Sequence, residues 1–149
     1  MKRTLLTLLL FVFTGLPSAW AQAGNALTFN HAALCVRDLA ASTTFYKSVL
    51  ELPETPNPFN DGIHAWLTIG PQLQLHLIQR GCAVTPEKNV HLCFRVASLK
   101  TLTNRLEKLN VPYTNLKGDK QAPTIRADGV KQIYLQDPDG YWIEINDAR

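Results

Sequence analysis

The sequence lacks most of what would place a protein in a specialised class. Cysteine is sparse and odd in number, with Cys35, Cys82 and Cys93 showing no C-x-x-C spacing. That excludes a disulfide scaffold; one bridge can form after export, between a pair the sequence does not select. Charge of one sign is missing too. Of the 15 basic residues, set against 12 acidic ones, Lys2 and Arg3 belong to an N-terminal leader, so the rest of the chain is nearly neutral. No basic stripe with interleaved aromatic residues remains, and the electrostatic case for nucleic acid as a partner goes with it. The apolar run from Leu5 to Phe13 is shorter than the ~20 residues a bilayer-spanning helix needs, and no later run is long enough. No P-loop, G-x-S-x-G or H-E-x-x-H signature occurs.

What is present starts with the leader. "MKRTLLTLLLFVFTGLPSAWAQA" has a positive start in Lys2 and Arg3, an apolar stretch, and a small-x-small cleavage pattern at Ala19-Trp20-Ala21 or Ala21-Gln22-Ala23. It predicts a signal peptide over residues 1–23. The expected protein is exported, periplasmic in a bacterium, and has no membrane attachment once the leader is gone. Residues 24–149 then suit a single domain.

That domain contains its own near-repeat. "LTFNHAALCV" reads as a strand, Asp38 as a helix N-cap, and "LAASTTFYKSVL" as a helix with Leu39, Tyr46, Val49 and Leu50 at helical spacing. "GIHAWLTIG" and "LQLHLIQ", joined by a short Gly-Pro turn, read as a β-hairpin. The second half runs the same way. "NVHLCFRV" is a strand, Ser98 a cap, and "LKTLTNRLEKLNV" a helix with Leu99, Leu102, Leu106 and Leu109 on one face and Pro112 beyond as a stop. "GVKQIYLQ" and "YWIEIN" close a hairpin around Asp137-Pro138-Asp139-Gly140. His31, Val36 and Leu39 recur 60 residues on as His91, Val96 and Leu99. The reading is an α+β fold of two βαβββ modules, about 27–80 and 88–147.

Each module carries a metal-competent side chain on its first strand and another on its last: His31 and His76, then His91 and Glu144. Strand alternation sets His76 with Gln74, and Glu144 with Trp142 and Asn146, while Leu73, Leu75, Leu77, Ile143 and Ile145 take the opposite face. A lone strand histidine or glutamate is ordinarily structural or solvent-facing. Four of them at equivalent positions of a repeated unit point instead to one shared metal site. Imidazoles with a carboxylate suit Zn, Ni, Fe(II) or Mn. Glu144 doubles as a proton carrier if it leaves the metal. His64 has no repeat partner and reads as an ordinary loop or strand-start residue.

The opening "H-x-x-L-x-V-x-D-L-x-x-S-x-x-F-Y-x-x-V-L" (His31 to Leu50), the closing "DPDGYWIEI" and the βαβββ repeat resemble the vicinal oxygen chelate superfamily, most nearly its glyoxalase I branch. The resemblance implies an open, cup-shaped barrel of about eight strands made from paired modules, often across a homodimer, with one divalent metal and a small-molecule substrate. It carries the ligand positions onto His31, His76, His91 and Glu144; the second is usually a glutamate in glyoxalase I. The implied activity is that of a lyase or isomerase like lactoylglutathione lyase, acting on an oxygen-chelating substrate through an enediolate. Two other classes share the scaffold. An Fe(II) extradiol-type dioxygenase or a thiol transferase would use His31, His91 and Glu144 with His76 as an acid–base group. A non-catalytic protein would hold a small molecule or drug in the cup.

Other residues take lesser parts. Trp66 and Trp142 are expected in the cup lining or the core. Cys35 and Cys93 share the histidine face of their strands. Asn115 to Gly129, polar with Gly and Pro, reads as a loop at the cup mouth and a candidate lid.

Overall fold

The computed structural model describes residues 27–149; the signal peptide expected over residues 1–23 lies outside them. No helix among the described residues is long and apolar enough to cross a membrane. The first module comprises β1 (His31–Val36), α1 (Leu39–Ser48), β2 (Glu54–Thr55), β3 (His64–Gly70) and β4 (Leu73–Gln79). The second comprises β5 (His91–Arg95), α2 (Leu99–Lys108), β6 (Thr124–Ile125), β7 (Lys131–Gln136) and β8 (Trp142–Asn146). Both helices start where the sequence says they should. The Asp38 side chain accepts the Ala41 amide and the Ser98 hydroxyl accepts that of Thr101, each relieving a donor left free in a first helical turn. Asn110, in the left-handed region at φ 55°, turns the chain out of α2 before Pro112.

Each module forms a four-stranded mixed sheet, in the orders β1-β4-β3-β2 and β5-β8-β7-β6. The parallel pairs are β1 with β4 and β5 with β8, and the remaining pairs are antiparallel. One sheet face is apolar: Leu34, Val36, Leu67, Leu75 and Leu77 in the first module and Ile133, Leu135, Ile143 and Ile145 in the second are buried in a single cluster with Tyr46, Leu102 and Leu106 of the helices. The alternation therefore leaves the histidines and Glu144 on the opposite, open faces. Two open sheets, not a closed barrel, make the cup.

The turn Asp137-Pro138-Asp139-Gly140 does more than reverse the chain. Its two carboxylates are buried and reach into the first module, where Tyr46 Oη donates to Asp137 Oδ2 at 2.9 Å and Ser42 Oγ to Asp139 Oδ2 at 3.0 Å. Arg37 adds its Nε at 2.9 Å and its backbone amide at 3.0 Å to Asp139 Oδ1. Burial raises the Asp137 carboxyl above its ordinary range despite its hydrogen bonds. For Asp139 burial acts the same way, but its bonds to Arg37 and Ser42 outweigh it and hold the carboxyl ionised. Gly140 sits at φ 93°, and a Cβ there would stand 3.1 Å from Pro86 Cγ, so the turn requires glycine.

Two sequence readings are sharpened. Cys35 is bonded to Cys82 in the loop after β4, which selects the pair the sequence left open, and Cys93 is free. Residues 115–129 are not a featureless loop. They contain β6, a turn closed by Asn115 and Asp119, and a second closed by Arg126 and Asp128, and Thr114 is bridged to Tyr134 of β7.

Candidate metal centre

The strand registers bring the sequence candidates together in pairs. In the first module Ala33 of β1 lies opposite His76 of β4, which places His31 diagonally from it; Trp66 of β3 lies opposite His76 on the other side. The second module repeats the plan, with Cys93 opposite Glu144, His91 diagonal, and Tyr134 of β7 opposite Glu144. No group of three or more His, Cys, Asp or Glu close enough to hold a metal occurs among the described residues. One chain therefore presents two half-sites, His31 with His76 and His91 with Glu144.

The second half-site is tightly prepared. His91 Nδ1 lies 2.7 Å from the carbonyl oxygen of Lys88. A carbonyl can only accept, so Nδ1 carries the proton and the Nε2 lone pair is free; Nε2 lies 3.4 Å from Glu144 Oε2. Glu144 receives Tyr134 Oη at 2.7 Å on Oε2, and on Oε1 both Asn146 Nδ2 at 3.0 Å and the Cys93 thiol at 3.5 Å. Burial pushes its pKa up, but the bonds from Tyr134, Asn146 and Cys93, with His91 nearby, outweigh that and hold it below the ordinary carboxylate range. Burial and then the Glu144 charge push the Cys93 thiol up to about 11, and the same causes raise the Tyr134 phenol well above its usual value. Glu144 is therefore an ionised, oriented donor and a weak base. Tyr134, which the sequence reading did not single out, is its principal positioning residue.

The first half-site is built by stacking. Trp66 lies face to face with His76 at 4.2 Å and 3°, and His76 with His31 at 4.2 Å and 13°. Burial, then His31 and His64, lower the His76 pKa, so its ring is neutral at pH 7. His31 Nδ1 lies 2.7 Å from Asn30 Oδ1, and His76 Nε2 lies 2.9 Å from Gln74 Oε1. Imidazole lone pairs lie in the ring plane. Two nearly parallel rings cannot aim them at one ion, so His31 and His76 chelate together only if one ring leaves the stack. The indole Nε1 of Trp66 is buried without a hydrogen-bond partner, an acceptor still owed at this wall. His64 takes the ordinary role expected of it, opening β3 with its Nδ1 2.7 Å from Asp61 Oδ2.

The donor chemistry fits a divalent ion: an assigned histidine tautomer, an ionised carboxylate and two further imidazoles, each pair too few alone. Comparison with known proteins identifies the family. A sequence profile of the glyoxalase/bleomycin resistance protein/dioxygenase superfamily matches residues 28–145. The Arabidopsis thaliana protein named glyoxylase I 4 is 29% identical over 138 residues, covering 83% of this chain and 74% of that one. A lactoylglutathione lyase of Pseudomonas putida is 26% identical over 166 residues, covering 87% of this chain and 92% of that one. Among solved structures, the oxidase ChaP-H2 superposes with a TM-score of 0.69 at 23% identity, covering 83% of this chain and 94% of that one.

Proposed function

The chain belongs to the glyoxalase/bleomycin resistance protein/dioxygenase superfamily, and from that premise we propose that it is a divalent-metal enzyme of glyoxalase type, a lyase or isomerase acting on a small substrate with two adjacent oxygens. The observation that carries the reading is the second half-site, where a carbonyl fixes the His91 tautomer and three donors fix an ionised Glu144. His31, His91 and Glu144 would hold the ion, with His76 either joining them or remaining in its stack. A divalent ion there supplies Lewis acidity toward the two substrate oxygens.

Within this reading the proton is moved by His76 and not by Glu144. Three hydrogen bonds make the carboxylate a poor base, whereas the His76 ring is neutral and clamped by Trp66. A second reading rests on the same stack. With His76 outside the ligand set, two histidines and one carboxylate remain, the facial triad of Fe(II) oxygen-using enzymes.

The site is completed by a second copy of the chain, since neither half-site reaches three donors and one chain does not bring them together. Exposed apolar side chains flank the half-sites: Phe29 and Val90 precede β1 and β5 and are 67% and 75% exposed, and Phe59 packs edge-on to Trp66. The homodimer would then carry two sites, each made of the His31 half of one protomer and the His91 half of its partner.

The test is metal content per chain after purification without chelator or nickel resin, for the wild type, His76→Gln and Glu144→Gln. The reading expects one divalent ion per chain in the wild type and in His76→Gln, which loses turnover, and loss of the ion in Glu144→Gln. A metal-free wild type after reconstitution would refute it. Oxygen uptake dependent on Fe(II) would select the second reading.

A further inference from the structure

Lys88 stands at the mouth of the second half-site in an unusual setting. Its ammonium lies 4.5 Å from the Trp142 ring centroid and 5.4 Å from that of Tyr134. Tyr134 is the ring whose other neighbours are His91, edge-on at 5.7 Å, and Glu144 at its hydroxyl. The backbone carbonyl of Lys88 itself fixes His91. The Tyr134 ring therefore contacts both the charge and the proposed ligands His91 and Glu144. It is half-buried, yet it forms no ion pair among the described residues. Its neighbour Glu87 is turned away, with its carboxylate on the amide and side chain of Asn89.

The hydrogen bonds Lys88 does make are long and neutral: Thr114 Oγ1 at 3.4 Å, Asn115 O at 3.2 Å and Leu116 O at 3.4 Å. All three ammonium donors are engaged, but by neutral oxygens at the long end of the hydrogen-bond range, so the positive charge itself meets no counter-charge among the described residues. Trp142, partly exposed beside it, offers ring surface for the planar body of the same molecule, whereas Tyr134 is buried beneath.

We propose that Lys88 is a substrate-binding residue that takes a carboxylate, so that the substrate of this cup is a small organic acid whose body lies against Trp142. This rests on the reading of the half-sites as a metalloenzyme centre and adds the chemical class of what enters. A purely structural Lys88, clasping residues 114–116 to the rings, is the competing explanation. The experiment separates the two.

Benzoate and its neutral isostere benzamide are titrated calorimetrically into the full protein, first stripped of metal and then loaded with cobalt(II), for the wild type, Lys88→Met and Lys88→Arg. Cobalt(II) affinity is measured alongside. The expected result is benzoate binding at least 10-fold tighter than benzamide without metal, a preference lost in Lys88→Met and kept in Lys88→Arg, with cobalt affinity equal in all three. Equal binding of the two probes, or a benzoate preference that survives Lys88→Met, overturns the proposal while leaving a cobalt-binding centre intact. A Lys88-dependent benzoate preference in a protein that takes no cobalt overturns the metal reading and leaves the carboxylate subsite standing.

Discussion

Replacing Tyr46 with Phe tests how the two modules are held together. The tyrosine ring is fully buried in the shared core and stays in place in the variant, so packing is conserved and only the hydroxyl is lost. That hydroxyl is the side-chain donor on Asp137 Oδ2; Oδ1 keeps the amides of Asp139 and Tyr141. A hydrogen bond to a charged group contributes about 1.5–3 kcal/mol, and leaving a buried oxygen unpaired costs toward the upper end. The expected loss is about 2 kcal/mol, which for a domain of this size lowers Tm by about 6–10 °C. Urea unfolding should show a lower midpoint with an unchanged slope, because the surface exposed on unfolding is the same. The folded-state pKa of Asp137 is already raised, and the variant raises it further. Its deficit is therefore largest at neutral pH and shrinks as the pH falls through that raised value and the carboxyl takes up its own proton. In a cycle with Asp137→Asn, the coupling should be about 1 kcal/mol or more. A loss under about 0.5 kcal/mol at pH 7, or one unchanged when residue 137 is already Asn, would refute the inter-module lock.

Other consequences follow from the same geometry. The Cys35–Cys82 bridge spans a sequence separation of 47, and loop-closure entropy assigns it about 4 kcal/mol. Calorimetry of Cys82→Ser should therefore show a Tm lower by about 12–20 °C, and an unchanged Tm would mean that the bridge does not form. The Cys93 thiol, pushed up to about 11, should react with iodoacetamide at pH 8 about 100-fold more slowly than a peptide thiol, and ordinary reactivity would contradict its contact with the ionised Glu144. Tyr134→Phe should destabilise the protein at pH 7 by about 1.5 kcal/mol. Glu144 has a depressed folded pKa, so this contribution is present above the ordinary carboxylate range and disappears as the pH falls through the depressed value; a deficit independent of pH would refute the assignment.

Much of the fold was legible because its signals are local. The caps Asp38 and Ser98, the alternation along β4 and β8 and the 60-residue recurrence of His31 as His91 all depend on neighbours or on a period. Tyr134 had a readable signal that went unused: a hairpin closing at Gln136 and Trp142 sets residue 134 opposite Glu144. The roles of Asp137 and Asp139 were hidden, since a turn motif does not say that its carboxylates will meet Tyr46 and Arg37 about a hundred positions away. The same holds for the Cys35–Cys82 pairing and for Lys88, whose importance lies in rings brought from β7 and β8. Alternation fixes the face on which His31, His76, His91 and Glu144 lie. It does not reveal that one chain keeps the two pairs apart.

The most direct test of the account is complementation between two inactive chains, one carrying His31→Ala with His76→Ala, the other His91→Ala with Glu144→Ala. Each is purified alone and measured for divalent metal by native mass spectrometry, and the two are then mixed and allowed to exchange. The account predicts no tightly held ion in either parent and one ion per mixed dimer, because the intact halves of the two chains meet in one of its two sites. Mixed dimers without metal, beside a wild type holding one ion per chain, would contradict the division of the centre between protomers.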